Sequence, residues 1–242
     1  STGTGLGPDL PGTPPLCNRT SNSYSALAMQ QVPHGEFVNE GCDNSTTSAL
    51  YAGWAAAGIR AQFDALNGQE DVVFLSIGIN NSGFGTIADN CLINLAQTDP
   101  NRCTSTYVIG GQNTLPAIAA GISTSTTPPS VGSAIDQIHA RSPNAKVFLV
   151  GYPQITPMNG VGCKPNYFNL SVADGPVYGA WEVALNDTLR NVAAGHNAYF
   201  VDLRPATAPH NACQPAGVRW TVPFSQFDPT AVRAFLSVYQ KR

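Results

Sequence analysis

Three short apolar runs, separated by amphipathic stretches, constrain this sequence more than anything else in it. Residues 71–80 (DVVFLSIGIN) open with a near-continuous apolar run, residues 145–153 (AKVFLVGYP) form a second, and residues 198–203 (AYFVDL) a third. A strand buried on both faces reads this way, because none of its side chains meets water. Helical patterns lie around them. Val131, Ile135 and Ile138 share one face over 131–141, and Trp181, Leu185, Leu189 and Val192 do so over about 175–194. Leu50, Trp54, Ile59, Phe63 and Leu66 suggest a helix over 47–68, with Asn67-Gly68 as its stop. Residues 23–30 read as a short helix and residues 35–42 (GEFVNEGC) as a short strand. Strands alternating with helices predict a parallel, doubly wound α/β sheet. A length of 242 residues suits one such domain, spanning 1–242. Residues 1–16 read as loop, and residues 99–130, rich in Ser, Thr, Gly and Pro, as a long surface excursion.

Composition narrows the partners. Charged residues make up 11% of the chain and the net charge is −3 with no basic cluster, which argues against nucleic acid. The surface must therefore be dressed with neutral polar residues, which suits a secreted protein. No apolar run approaches the ~18 residues of a membrane span. The sequence opens without a secretory leader, which reads as a mature or trimmed chain. The six cysteines, Cys17, Cys42, Cys91, Cys103, Cys163 and Cys213, form no CxxC pair and no zinc-like grouping with histidine. They read as three disulfides made in an oxidising compartment, with about 15 pairings open to six cysteines. Five Asn-x-Ser/Thr sequons, at Asn18, Asn44, Asn80, Asn169 and Asn186, are candidate glycosylation sites. The chain ends in Lys241-Arg242, the end that a kexin-type protease leaves. Together these features point to a secreted, fungal-type chain cut from a precursor. No metal or cofactor motif is present.

Near the C-terminus stands FSQFDPTAV, residues 224–232. Asp228 suits a helix N-cap, Pro229 the first helical position, and Val232, Phe235, Leu236 and Tyr239 an apolar stripe. A capping Asp is worth about 1 kcal/mol and needs no catalytic role.

In parallel α/β sheets, function gathers beyond the strand C-termini. The segments there resemble the SGNH (GDSL-type) hydrolases, in particular their secreted three-disulfide esterases and lipases. SIGINNSGFG (76–85) resembles the block whose Gly-x-Asn supplies an oxyanion-hole Asn, here Asn80. GCDNSTTSAL (41–50) resembles the block that supplies a backbone N–H from a Gly, whose place Asn44 takes. CNRTSNSYSALA (17–28) resembles the segment of the first cysteine, and VFLVGYPQITP (147–157) a strand and turn of the family. The likeness runs along nearly the whole chain. It implies an SGNH-like, flavodoxin-like three-layer sandwich around a parallel sheet, and disulfides Cys17–Cys42, Cys91–Cys103 and Cys163–Cys213.

The chemistry of that family needs an attacking Ser, a His that moves its proton, and fixed donors for the oxyanion. STGTGLG at residues 1–7 resembles the tail of the family's Gly-Asp-Ser-x-Ser-x-Gly block, with Ser1 two positions after the nucleophile. The resemblance therefore implies that the nucleophile and the first strand are not among these residues. FSQFDPTAV resembles the family's Asp-x-x-His-Pro block but reads Ser225-x-x-Asp228-Pro229. An Asp carboxylate is a weaker base than imidazole by roughly 3.5 kcal/mol. The expectation is a family member inactive as this chain stands, acting by binding, as part of a processed secreted toxin or effector. The alternative is an esterase or lipase whose Ser arrives on another segment or chain. A companion chain or peptide, or self-association, would then fill the place of the first strand.

Overall fold

The computed structural model describes residues 9–14, 17–54, 58–93, 98–163 and 170–220. In chain order the elements are α1 (Tyr24–Met29), α2 (Ser48–Ala52), β1 (Val72–Leu75), α3 (Phe84–Ala88), α4 (Arg102–Tyr107), β2 (Val108–Ile109), β3 (Gln112–Asn113), α5 (Leu115–Ala120), α6 (Val131–Arg141), β4 (Lys146–Val150), α7 (Asp174–Gly195), β5 (Tyr199–Val201) and α8 (Arg204–Thr207). They fall into two compact units, one drawn from Ser1–Asn81, Ser123–Val150 and Val192–Phe200, the other from Ser82–Ile122, Gly151–Asn191 and Val201–Arg242.

The first unit holds the sheet, in the order β1–β4–β5. β1 and β4 pair in parallel, from Val72 opposite Lys146 to Leu75 opposite Leu149. The α/β class with a parallel sheet is thus as the sequence predicts. α6 begins at Ser130, whose hydroxyl accepts the Ser133 N–H at 3.1 Å, and buries Val131, Ala134, Ile135 and Ile138. Its last turn carries His139 and Arg141, which suit the negative end of the helix dipole. α1 is capped by the Ser23 hydroxyl and buries none of its own residues.

Three expectations in this unit need correction. The helix expected over 47–68 is broken: α2 ends at Ala52, Trp54 bridges back to Ile59, and a single 3-10 turn follows at Gln62–Ala65. Gly53 is the cause, with φ of +62° and so little room that a Cβ would lie 2.4 Å from the Arg60 backbone. Only glycine takes that corner at low cost, and the apolar residues on either side mimic helical periodicity across it. Residues 35–42 form no strand, and Phe37 and Val38 are exposed. Nor is β1 buried on both faces: Val72 and Phe74 are 43% and 48% exposed. Phe74 instead stacks on Phe148, and Phe148 on Tyr199, making an aromatic row across the three strands.

The second unit is mostly helical. Residues 99–130 are no mere excursion: their 99–122 part holds α4, the β2–β3 hairpin and α5, and buries Cys103, Tyr107, Leu115, Ala119 and Ile122. The polar composition hid these anchors because they are few and spaced unevenly. Asp174 ties the start of α7 to α4, accepting from the Thr104 N–H at 2.8 Å and from its hydroxyl at 2.7 Å. Within α7, Trp181, Leu185 and Leu189 are fully buried, each worth about 1.5–3 kcal/mol of burial. Trp181 stacks on Phe84 with centroids 5.8 Å apart. No described helix is long and apolar enough to cross a membrane. The six cysteines pair as Cys17–Cys42, Cys91–Cys103 and Cys163–Cys213.

Candidate active site

Two turns of the first unit meet at the place the motifs single out. One follows β1, over residues 76–81; the other follows Cys42, over residues 43–47. Asn80 Nδ2 donates to the Ser45 carbonyl at 3.0 Å. Beside it, Asn81 accepts from the Thr47 N–H at 3.1 Å and donates to the Thr47 hydroxyl at 2.7 Å. The Thr47 hydroxyl donates in turn to the Pro129 carbonyl at 2.5 Å. Gln62 Nε2 reaches the Ser45 hydroxyl at 3.0 Å. Three of these bonds, between Asn80 and Asn81 on one turn and Ser45 and Thr47 on the other, cross-link the two turns.

Asn44 sits at the crest of the second turn with φ of +59°. That left-handed conformation favours glycine, and among other residues Asn tolerates it best. The backbone thus keeps the shape a Gly would give. The Asn44 side-chain oxygen is buried without a hydrogen-bond partner among the described residues. Behind the turn, Cys42 is locked to Cys17, and Arg19 holds residues 40–41 through the Gly41 carbonyl at 2.7 Å and Glu40 at 2.9 Å. Arg60 binds the other oxygen of Glu40.

Of the residues singled out in the sequence, the structure brings Asn44 and Asn80 into adjoining turns. Ser225 and Asp228 lie outside the described residues, as does Asn169. The sequons differ sharply in access. Asn18 is exposed, whereas Asn186 is 0% exposed. Its amide is also in use at both ends, accepting from the Tyr152 N–H at 2.8 Å and donating to the Glu182 carbonyl at 3.0 Å. In the folded chain the Asn186 side chain is closed off from solvent. The Asn80 amide is likewise engaged with Ser45.

The four histidines each have a local anchor. His34 lies 2.7 Å from the Gly35 carbonyl and edge-on to Phe37. His139 meets the Asn197 carbonyl at 3.2 Å. His196 bonds Asp136 at 2.7 Å, and its ring occupies the space a side chain at Gly132 would need. His210 bonds the Val218 carbonyl at 2.6 Å and stacks on Trp220 at 3.9 Å. None of these anchors belongs to the Asn44 and Asn80 turns.

One titratable group was missed by reading motifs. Glu182, on α7 in the second unit, is 3% exposed. Burial pushes its carboxyl up to about 8, against the opposing pull of the Ile155 N–H, Arg204, Tyr178 and the Thr156 N–H. The signal was in the spacing: Tyr178, Glu182 and Asn186 recur every four residues beside the apolar stripe of Trp181, Leu185 and Leu189, so helical geometry puts them on an adjoining face.

Comparison with known proteins adds the lineage. The model of the GDSL-like Lipase/Acylhydrolase family matches residues 1–230. Lipase 2 of Streptomyces coelicolor is 28% identical over 232 residues, covering 92% of this chain and 73% of that protein. The lipase of Streptomyces rimosus is 26% identical over 225 residues, covering 89% of this chain and 72% of that protein. Among solved structures, the extracellular lipase of Streptomyces rimosus superposes with a TM-score of 0.70 at 25% identity, over 93% of this chain and 86% of that one. Phospholipase A1 of Streptomyces albidoflavus shares the fold with a TM-score of 0.70 at 24% identity, over 100% of this chain and 94% of that one. These relatives are bacterial, not fungal. By the extent of the family match, the chain belongs to the GDSL-like lipase/acylhydrolase (SGNH) family.

Proposed function

We propose that this chain is an extracellular member of the lipase/esterase lineage that keeps the carbonyl-binding side of an ester site but has lost efficient proton transfer, and so acts chiefly by binding. What supports this reading is the resemblance of FSQFDPTAV to the family's Asp-x-x-His-Pro block, with Asp228 where that block has His, together with the hydrogen bond that each of the four imidazoles makes to a group outside residues 76–81. In favour of ester binding, Asn80 is fixed against Ser45 and Asn44 keeps the left-handed backbone of a glycine. A positioned general base contributes about 10²–10⁴ in rate, and an ionised Asp has no proton to give a leaving alkoxide. The three disulfides and the extracellular lipase among the structural neighbours support the location.

The experiment is hydrolysis of p-nitrophenyl acetate and butyrate by the natural full-length chain, including any residues that precede Ser1, beside its Asp228→His variant. The reading expects a slow natural protein and a gain of about 10²–10⁴ on restoring the imidazole. A natural protein that already turns over like a lipase, with a fluorophosphonate labelling one Ser, overturns it. That outcome favours the second reading, a working serine esterase, for which the preserved Asn80 turn is the supporting observation.

A further inference from the structure

The segment after β4, residues 151–156, is held by side chains of α7. Glu182 Oε1 accepts the Ile155 N–H at 2.9 Å, and Asn186 Oδ1 accepts the Tyr152 N–H at 2.8 Å. Asn186 is itself fixed by its bond to the Glu182 carbonyl. From α8, Thr207 takes the Gln154 N–H at 2.9 Å. Three backbone N–H groups of the segment thus end on side chains, one of them a buried carboxyl, while the Gly151 N–H to the Val201 carbonyl at 3.0 Å and the Ala212 N–H to the Ile155 carbonyl at 2.9 Å tie it through the main chain.

That carboxyl stands in unusual company. Its second oxygen, Oε2, makes no hydrogen bond of good geometry among the described residues, and neither do the Tyr178 hydroxyl, the Thr156 hydroxyl or Arg204 Nε, all buried; the Tyr178 hydroxyl lies near enough to Glu182 for each to shift the other. Among the described residues, the charged and titratable groups that act on Glu182 are Tyr178 from its own helix and Arg204 from α8, beside the Ile155 and Thr156 N–H groups. Residues 153–156 (Pro-Gln-Ile-Thr) bring no charged side chain. Tyr178 is pushed well above its ordinary value, by burial first and Glu182 second. A full negative charge there would be buried with one of its oxygens unpartnered, which is expensive.

We propose that Glu182 grips the 151–156 segment as an uncharged carboxylic acid, and that its ionisation in mildly alkaline solution loosens that segment. The neutral acid accepts the Ile155 N–H through its carbonyl oxygen and turns its O–H into the group of orphaned hydroxyls. Loss of the proton to solvent leaves a carboxylate that the site solvates poorly, and the segment opens to let water reach it. The sign follows from linkage. Burial pushes the folded carboxyl up to about 8 from an ordinary 4.5, so between those values the folded chain holds a proton that the unfolded chain releases. Stability from Glu182 is complete below pH 4.5, declines as pH rises toward 8, and is lost above it. This inference stands whether or not the chain hydrolyses esters.

The test follows the carboxyl carbons of the four glutamates, Glu36, Glu40, Glu70 and Glu182, by carbon NMR from pH 3 to 9.5, together with hydrogen exchange of residues 152–156. One glutamate is expected to titrate near pH 8 in the wild type and to vanish in Glu182→Gln. Protection of the Ile155 amide should fall above pH 8 in the wild type, relative to the rest of the protein, and stay level in the Gln variant. If the variant does not fold, the wild-type titration still decides. Four glutamates that all titrate in the ordinary carboxylate range overturn the proposal, as does Ile155 protection with the same pH dependence in both proteins.

Discussion

Glu70 and Glu182 are both carboxyls that accept backbone N–H groups, and their surroundings drive them opposite ways. Glu70, in the first unit, lies near the surface and takes the Asn67 N–H at 2.9 Å, the Gly68 N–H at 3.0 Å and the Ser142 hydroxyl. Burial pulls its carboxyl upward, but those donors outweigh it and the net direction is down. Glu182, in the second unit, has one oxygen bonded to Ile155 and the other without a well-made bond among the described residues, is buried, and is pushed up to about 8. The same residue type is thus a charged staple in one region and a neutral clamp in the other. What decides is whether both oxygens are served and whether solvent shares the charge.

The largest break in that symmetry should come from truncation. Glu182→Ala leaves the Ile155 N–H buried without an acceptor and opens a cavity, a loss of about 2–4 kcal/mol. Thermal unfolding should show this as a drop of about 2–4 °C per kcal/mol for a chain of this size. The equivalent Glu70→Ala lets water take over the freed N–H groups and should cost clearly less. Equal losses at the two positions would erase the distinction between clamp and staple.

Asn186→Ala sharpens the comparison at the next size down. It strands the Tyr152 N–H, which is worth about 1–3 kcal/mol. Because Asn186 and Glu182 hold the same segment through the Tyr152 and Ile155 N–H groups, their losses should not add. A double variant measured in urea that shows simple additivity would mean the two side chains grip independently.

The sequence made some of this readable and concealed the rest for physical reasons. β4 and α6 are legible because each repeats one pattern over its full length, an apolar run for Val147, Leu149 and Val150 and a helical stripe for Val131, Ile135 and Ile138. The 47–68 region is not, because Leu50, Trp54, Ile59 and Phe63 keep helical spacing across a corner that Gly53 forces. Asn80 and Asn44 were found from neighbouring motif residues, yet only coordinates join Asn80 to Ser45. Glu182 carries no motif at all; its meaning depends on what lies over it, and sequence periodicity gives a face without saying what covers that face.

The smallest effect expected is also the one that most directly opposes the two carboxyls. Glu70→Gln keeps an acceptor for one N–H but loses the charge, so at neutral pH it should cost on the order of 0.5–1.5 kcal/mol. The pH dependence matters more than the size. Because the folded Glu70 carboxyl lies below its ordinary value of 4.5, the folded state favours the charged form. Its contribution is present above pH 4.5 and is lost as pH falls through the lower, folded value. Denaturant unfolding of Glu70→Gln should therefore show a shallower acid limb and an unchanged alkaline one, while Glu182→Gln flattens the decline between pH 4.5 and 8 and leaves the acid limb alone. Solvent screens Glu70, so its limb is the fainter of the two. Both variants flattening the same limb would show that titration of the two units is coupled, and that neither carboxyl can be understood from its own neighbours.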